Sequence, residues 1–308
     1  MQLMRIGPAG SERPVVRNDA HTYIDVGDLV DDYNTAFFAT GGPALLLEAV
    51  AERRAAGRLH PFDGQRIGAP IARPHQILGV GANYRTADSN QSTPEEPLVF
   101  TKAPNSLCGP NDDLIIPRGS HHTDWEVELA IVIGSRSHYL ADTHEALTAI
   151  AGYVLVNDIS ERAFQRERGG QWLKGKSAPT FTPCGPWLST PDSVGDPVDL
   201  NLWLEHNATR RQDGNSRDMI FSPAWIVHHL SQFMALEPGD LVSTGTPFGA
   251  GKDLTPPQYL APGDTLTCGA DRLGIQHQRV TSAEQSGYHV RPCRRRPRSR
   301  AGTRRPRG

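Results

Sequence analysis

Nothing in this sequence approaches the roughly 18 uninterrupted apolar residues that a membrane-crossing helix needs, and residues 1–14 hold no apolar core of a secretory signal. A cytoplasmic chain with no membrane partner is the expectation. Cysteine is scarce. The four present, Cys108, Cys184, Cys268 and Cys293, are scattered with no CxxC pair, so free thiols are expected and a disulfide frame is not. The chain also lacks GxSxG, HExxH and Walker motifs. Gly79-Val-Gly81-Ala-Asn-Tyr84 misses the third glycine of a dinucleotide fingerprint. The pairs His121–His122 and His228–His229 have no metal-like partners at useful spacing. These absences remove the common serine-hydrolase, zinc-protease and nucleotide chemistries.

What is present is an ordinary globular composition: 308 residues, 37% hydrophobic and 21% charged, with 30 Gly and 25 Pro. That excludes a fully disordered, collagen-like or coiled-coil chain. The net charge of −2 conceals a split. Residues 282–308 carry nine Arg and one acid, Glu284, which leaves 23 basic against 33 acidic residues over 1–281. An acidic body therefore carries a basic tail. The tail has almost no apolar residues with which to fold, and little aromatic interleaving beyond Tyr288, so nucleic acid is not expected as a partner.

Three regions follow. Residues 1–74 read as a small N-terminal α/β domain, with strands at Arg13–Val16 and Thr22–Val26 and a helix Pro43–Ala56 stopped by Gly57. Residues 75–281 read mainly as short strands between Gly/Pro turns, with clear helices only at Asp142–Ala151 and Pro223–Leu236. Residues 282–308 are the tail. Many short strands with few helices predict an α+β, mainly β fold: a mixed β-sandwich or β-roll, not a doubly wound sheet.

The most informative segment is Asp124-Trp-Glu126-Val-Glu128-Leu-Ala-Ile-Val-Ile-Gly134. Alternation along a strand puts Trp125, Val127, Leu129, Ile131 and Ile133 on one face and Asp124, Glu126 and Glu128 on the other. Two readings fit. The acids line a wet face, or they hold a hard divalent cation such as Mg²⁺ or Ca²⁺, which oxygen ligands suit. A second apolar strand, Tyr153–Val156, ends in Asn157-Asp158 and offers a further carboxylate. If Asp158 opens a helical turn, Arg162 and Gln165 share its face. Lys176, in a Gly-Lys-Ser turn, adds a cation, and Ser243-Thr-Gly245-Thr246-Pro-Phe-Gly249 forms a loop whose hydroxyls and N–H groups could cradle an anion.

In order and spacing, Gly81-Ala-Asn83-Tyr84-Arg85, the acidic run, Asn157-Asp158-Ile-Ser-Glu-Arg162, Lys174-Gly-Lys176-Ser and Ser243-Thr-Gly245-Thr246-Pro resemble the fumarylacetoacetate hydrolase superfamily. The resemblance runs from about Ile77 to Val280. The run Glu167–Lys176 is similar to bacterial members acting on 2,4-diketo-3-deoxy sugar acids. It implies the β-roll fold of that superfamily, usually a homodimer, with one divalent cation per subunit: Mg²⁺, with Ca²⁺ or Mn²⁺ as alternatives. By motif position, Glu126, Glu128 and Asp158 would hold the metal. Arg162, Gln165, Lys176, Gly245 and Thr246 would line the substrate and oxyanion pocket, bordered by Tyr84 and Lys102, with Lys176 and Glu126 as the catalytic pair.

The implied activity is metal-dependent hydrolysis of a C–C bond in a 2,4-diketo acid, an acylpyruvate or a diketo-deoxy sugar acid. One departure bears on it. Hydrolytic members carry a histidine shortly after Asn-Tyr as general base, whereas this chain reads Asn83-Tyr84-Arg85-Thr86-Ala87-Asp88-Ser89. Asp88, Glu95, Glu96, His121 and His122 are the nearby substitutes. The alternatives are a non-hydrolytic isomerase, decarboxylase or dehydratase of a 2-keto acid, and a member that binds metal and small acids without turnover.

Overall fold

Apolar residues on both sides of the strand Val127–Ile133 set the architecture of the computed structural model, which describes residues 1–85 and 94–287. Asp88 and the arginines of the tail lie outside the described residues. Val127–Ile133 pairs antiparallel with Ile150–Asn157 on one side and with Leu241–Ser243 on the other. Ile77–Gly81 then runs parallel to Leu241–Ser243, and Leu98–Lys102 forms the edge. In the opposite direction the same sheet continues through Leu188–Ser189 into Gln2–Ile6, Arg13–Arg17, Thr22–Asp25 and His60–Pro61. The boundary expected at residue 74 thus falls inside one continuous eleven-stranded sheet.

A second, five-stranded sheet holds Thr209–Asn215, Asn201–His206, Thr265–Ala270, Gly274–Ser282 and Leu114–Ile116. Trp125, Val127, Leu129, Ile131 and Ile133 pack in one core with Leu202, Leu204, Leu266 and Cys268 of this sheet. Ala130 and Val132 face the other way, into a core shared with Leu3, Val16, Ile24 and Val154. Each Val, Leu or Ile among them contributes about 1.5–3 kcal/mol on burial. The result is α+β and mainly β, two packed sheets with short helices around them. Among the described residues no helix is long and apolar enough to cross a membrane, and Cys108, Cys184 and Cys268 are free.

Helix ends follow local chemistry. Ser222 accepts from the Trp225 N–H and Pro223 occupies the first turn, as the Ser-Pro pair predicts. This helix stops at Ser231 and not at Leu236, because the Gln232 amide folds back onto the carbonyls of Leu140 and His228. The expected helix Pro43–Ala56 begins as a 3-10 turn, Gly42–Leu46, and becomes α-helical over Leu47–Ala55. Gly57 ends it at φ +65°, where a side chain would be strained. Asp142 caps a helix that spans only Thr143–Thr148, since Ile150 already pairs with Ile133.

Candidate active site

Three neighbouring segments converge where Val127–Ile133, Ile150–Asn157 and Leu241–Ser243 meet. Glu126, Glu128 and Asp158 offer carboxylate oxygens that all lie within 4.8 Å of one another, and all three side chains are buried. The wet-face reading is therefore overturned: Glu128 is 2% exposed and Asp158 is fully enclosed. The apolar alternation holds, but Asp124 does not join the convergence. It points instead to Arg162 and to the backbone of Gly251.

Cations surround the three acids. Lys176 Nζ donates to Glu126 Oε2 at 2.7 Å and to Asp158 Oδ2 at 2.5 Å. Lys102 Nζ donates to the other oxygen of Asp158 and to the Phe181 carbonyl. Arg162 Nη2 lies 2.7 Å from Glu126 Oε1. Glu128 takes its bonds on Oε2, from Ser243 Oγ at 2.6 Å and the Gly245 N–H at 2.8 Å. Its other oxygen has no protein donor among the described residues.

These environments separate the two glutamates. Burial pushes the Glu126 carboxyl up, but Arg162 and Lys176 more than offset it and hold it well below the usual carboxylate range. Glu128 lacks such partners. Burial, and then the charges of Asp158 and Glu126, push it well above its ordinary value. Lys176 is held above the usual lysine range because Asp158 and Glu126 overcome the opposing effect of burial. Burial prevails at Lys102, which is lowered despite Asp158. With Asp124 counted, four buried carboxylates face three cations, and the group left without a cation of its own is Glu128.

That donor set fits a hard divalent cation. Carboxylate oxygens are its preferred ligands, the three acids come from adjacent strand ends, and the uncompensated charge is of the sign a cation would relieve. A ligand set of Glu126, Glu128 and Asp158 is chemically sufficient for Mg²⁺, Mn²⁺ or Ca²⁺, with remaining positions left for water or substrate.

A cavity of about 650 Å³ opens beside the acids. Tyr84, Glu126, Glu128, Arg162, Gln165, Lys176, Gly245 and Thr246 line it, so eight of the ten expected positions that should touch a ligand or metal meet at one wall or another. Asp158 lies directly behind, through Lys176. Lys102, expected to border the pocket, does not reach it; at 1% exposure it is locked between Asp158 and two main-chain carbonyls. The Tyr84 hydroxyl is buried without a hydrogen-bond partner among the described residues. Neither His121 nor His122 lines the cavity; His122 packs edge-on against Tyr259. Among the described residues no histidine does.

The local folding differs from expectation at two places. Asp158 does not open a helix. Ser160–Glu161 first pairs with Thr123–Asp124, and the helix Arg162–Arg166 starts at a cap made by Glu161. Arg162 and Gln165 still share a face, one turn apart, and touch at 3.3 Å. The loop after Ser243 turns its donors onto the chain's own groups, with the Glu128 carboxylate held by Ser243 Oγ and the Gly245 N–H. Ser243 binds Glu128, while Thr244 and Thr246 donate to the carbonyls of Leu129 and Val127. Their work is to brace the acidic strand.

Other wall residues had no motif to announce them. Phe100 and Trp172 form an aromatic back wall with ring centroids 5.3 Å apart, and Lys176 Nζ sits 4.7 Å from the Phe100 ring centre. Gly79 and Gly81 make this possible. A Cβ on Gly79 would lie 2.3 Å from the Phe100 ring, and one on Gly81 would lie 3.0 Å from Trp172. The glycines that failed as a dinucleotide motif thus clear space for aromatic rings. Arg85, Arg166, Phe248, Lys252 and Asp253 complete the rim.

Comparison with known proteins gives the family. Residues 76–281 match the family described as fumarylacetoacetate (FAA) hydrolase C-terminal. The chain is 42% identical over 296 residues to 2,4-didehydro-3-deoxy-L-rhamnonate hydrolase of Sphingomonas sp. (strain SKA58), covering 94% of this chain and 99% of that one. Among solved structures, the fumarylacetoacetate hydrolase of psychrophilic Exiguobacterium antarcticum superposes with a TM-score of 0.81 at 30% identity, over 92% of this chain and 99% of that one. Maleylpyruvate hydrolase from Sphingobium sp. SYK-6, in complex with manganese(II) ion and pyruvate, gives 0.72 at 26% identity over 92% and 99%. The chain belongs to the fumarylacetoacetate hydrolase family.

Proposed function

We propose that this protein is a divalent-cation-dependent hydrolase that cleaves a C–C bond in a 2,4-diketo acid, an acylpyruvate or a diketo-deoxy sugar acid. Mg²⁺ is the proposed ion, with Mn²⁺ or Ca²⁺ as substitutes. The observation that carries the reading is the buried, negatively unbalanced triad Glu126, Glu128 and Asp158 beside Lys176 at one wall of the cavity. Its support is the similarity to a diketo-deoxy sugar-acid hydrolase over nearly the whole chain.

A bound cation would supply Lewis-acid polarisation of the neighbouring oxygens of a 2-keto acid. The chain's own groups do the rest. Arg162, through the Nη1 that Asp124 and Glu126 leave uncommitted, binds and orients the substrate carboxylate. Lys176 has three N–H groups. Two are committed to Glu126 and Asp158, which leaves one for the oxygen on which negative charge develops. The partnerless Tyr84 hydroxyl offers a second donor. Water adds to the distal carbonyl, losing a proton to a base. The C–C bond then breaks, its electron pair passes to the pyruvate fragment as an enolate, and protonation of that carbon gives pyruvate beside a second carboxylic acid. The aromatic wall keeps bulk water from the enolate.

A second reading is favoured by the histidine-free lining of the described cavity. Isomerisation, decarboxylation or dehydration of a 2-keto acid uses the same enolate-stabilising lysine without activating water. The test is a panel: the protein with Mg²⁺ and, in turn, acylpyruvates, oxaloacetate and diketo-deoxy sugar acids. Pyruvate with a stoichiometric second acid supports hydrolysis. CO₂ release or an isomerised or dehydrated product supports the second reading. Mg²⁺-dependent binding with no turnover on any of them overturns both. The reading includes a cytoplasmic homodimer, and light scattering should give twice the chain mass.

A further inference from the structure

Asp124 is fully buried, lies outside the cavity lining, and accepts hydrogen bonds from two walls of the cavity at once. Its Oδ2 accepts from Arg162 Nε at 2.8 Å, and Arg162 Nη2 lies 2.6 Å from the same oxygen, so one carboxylate oxygen holds the Nε–Nη2 edge of the guanidinium. Its Oδ1 takes the N–H of Gly251 at 2.6 Å and that of Trp125 at 2.9 Å, and Oδ2 also receives the Lys252 N–H at 3.2 Å. Gly251 is suited to this contact. A Cβ there would lie 2.7 Å from Asp124 Oδ1 and 1.9 Å from the Gln258 carbonyl.

With Nε and Nη2 held by Asp124, and Nη2 also shared with Glu126, Arg162 has only Nη1 left to present, steadied by Gln165 Oε1 at 3.3 Å. The same carboxylate fixes the start of Gly251–Asp253, whose Lys252 and Asp253 form the facing rim and pair with each other at 2.5 Å. Without the carboxylate at 124 the guanidinium keeps only Glu126 and the long Gln165 contact, and its Nη1 edge is no longer fixed from the Nε side.

We propose that Asp124 is a positioning residue: it aims the Arg162 Nη1 edge into the cavity and sets the distance between that edge and the Lys252–Asp253 rim, so that a 2-keto acid carboxylate is met by a preformed donor. The inference rests on the reading that the cavity takes such an acid. Asp124 itself touches neither the substrate nor the three metal-site carboxylates in this arrangement.

The test uses the full chain, Mn²⁺ as the metal probe and oxalate as the 2-keto-acid mimic, both followed by titration calorimetry. Asp124→Asn should keep the Mn²⁺ Kd within about twofold of the unaltered protein. It should weaken oxalate by about 10- to 100-fold, the loss expected when a charged hydrogen-bonding group is mispositioned. With whichever substrate the panel identifies, KM should rise by a similar factor while kcat moves less. In an Arg162→Lys background, Asp124→Asn should add no more than about a further twofold, because the aimed group is already gone.

Unchanged oxalate binding, a full additive loss in the Arg162→Lys background, or equal weakening of Mn²⁺ and oxalate would each overturn the proposal. If Asp124→Asn does not fold, Asp124→Ser, which retains an acceptor for the Gly251 N–H, carries the same expectations. Failure of the unaltered protein to bind oxalate with Mn²⁺ would overturn the functional reading and this inference with it. Failure confined to the variants overturns only the role of Asp124.

Discussion

Two charged clusters in this molecule share an arithmetic and differ in consequence. In the N-terminal part, Arg5 and Arg66 meet Glu12, Asp32 and Asp112: two cations against three acids. At the cavity, Lys102, Lys176 and Arg162 meet Asp124, Glu126, Glu128 and Asp158: three against four. Each has one excess negative charge. Asp32 and Asp112 keep 24% of their side-chain surface in water, which absorbs that excess. Glu12, though disfavoured by burial, is still held below its ordinary range by Arg66 and Arg5. The cavity acids are more deeply enclosed, and burial together with the charges of Asp158 and Glu126 forces Glu128 upward. Only the enclosed cluster therefore calls for a further cation. The partly exposed one is an ion-pair clamp between residues 1–74 and Asp112.

The comparison is broken most severely by Glu128→Gln or Glu126→Ala. Either should cost more Mn²⁺ affinity than the roughly 10- to 100-fold typical of losing an outer partner, measured by calorimetry. Lys102→Met comes next. It strips one of the two cations from buried Asp158, and breaking a buried pair typically costs about 3–5 kcal/mol of stability, read by denaturant unfolding of the metal-free protein. Its Mn²⁺ affinity should also fall, since Asp158 loses a group that orients it.

A pH series sharpens the contrast. Glu128 is raised in the folded, metal-free chain, so the folded state binds that proton more tightly than the unfolded state does. This contribution lowers metal-free stability as pH rises from the ordinary carboxylate range through the raised value. Cation binding must displace the proton, so Mn²⁺ affinity and the rise in Tm that Mn²⁺ produces should both grow with pH over the same window. In Glu128→Gln the pH-dependent part of that rise should vanish. The smallest effect belongs to the partly exposed cluster: Arg66→Ala should cost about 1 kcal/mol, as part-exposed pairs do, and leave Mn²⁺ binding unchanged.

Much of this site was legible in the sequence because its information is local. The period of two in Trp125–Ile133 separates apolar and acidic faces, and the core residues follow it. Asp158 at a strand end is likewise a short-range signal. The partners of those groups were not legible in that way. Lys102 reaches Asp158 across 56 residues, behind the cavity and not beside it, and the offset cannot be read from Leu98–Lys102 alone. Asp124 shares a face with Glu126 by periodicity, yet tertiary donors from Gly251 and Arg162 turn it away. The joining of Gln2–Ile6 to Leu188–Ser189 is equally long-range, and it makes one sheet of two expected regions. Strand Gly274–Ser282 was not expected, because the face it buries carries Gln276 and Gln278 and so shows no apolar alternation.

The central claim is that Glu126, Glu128 and Asp158 together hold one divalent cation against which a 2-keto acid is placed. The direct measurement is a crystal structure of the protein grown with Mn²⁺ and pyruvate, with anomalous data collected for manganese. The account predicts one manganese peak within about 2.0–2.3 Å of an oxygen from each of the three carboxylates, as hard-cation coordination requires, with pyruvate in the same cavity beside Arg162 and Lys176. Manganese bound elsewhere, or Lys176 left bridging Glu126 and Asp158 with no metal peak between the three acids, would contradict it.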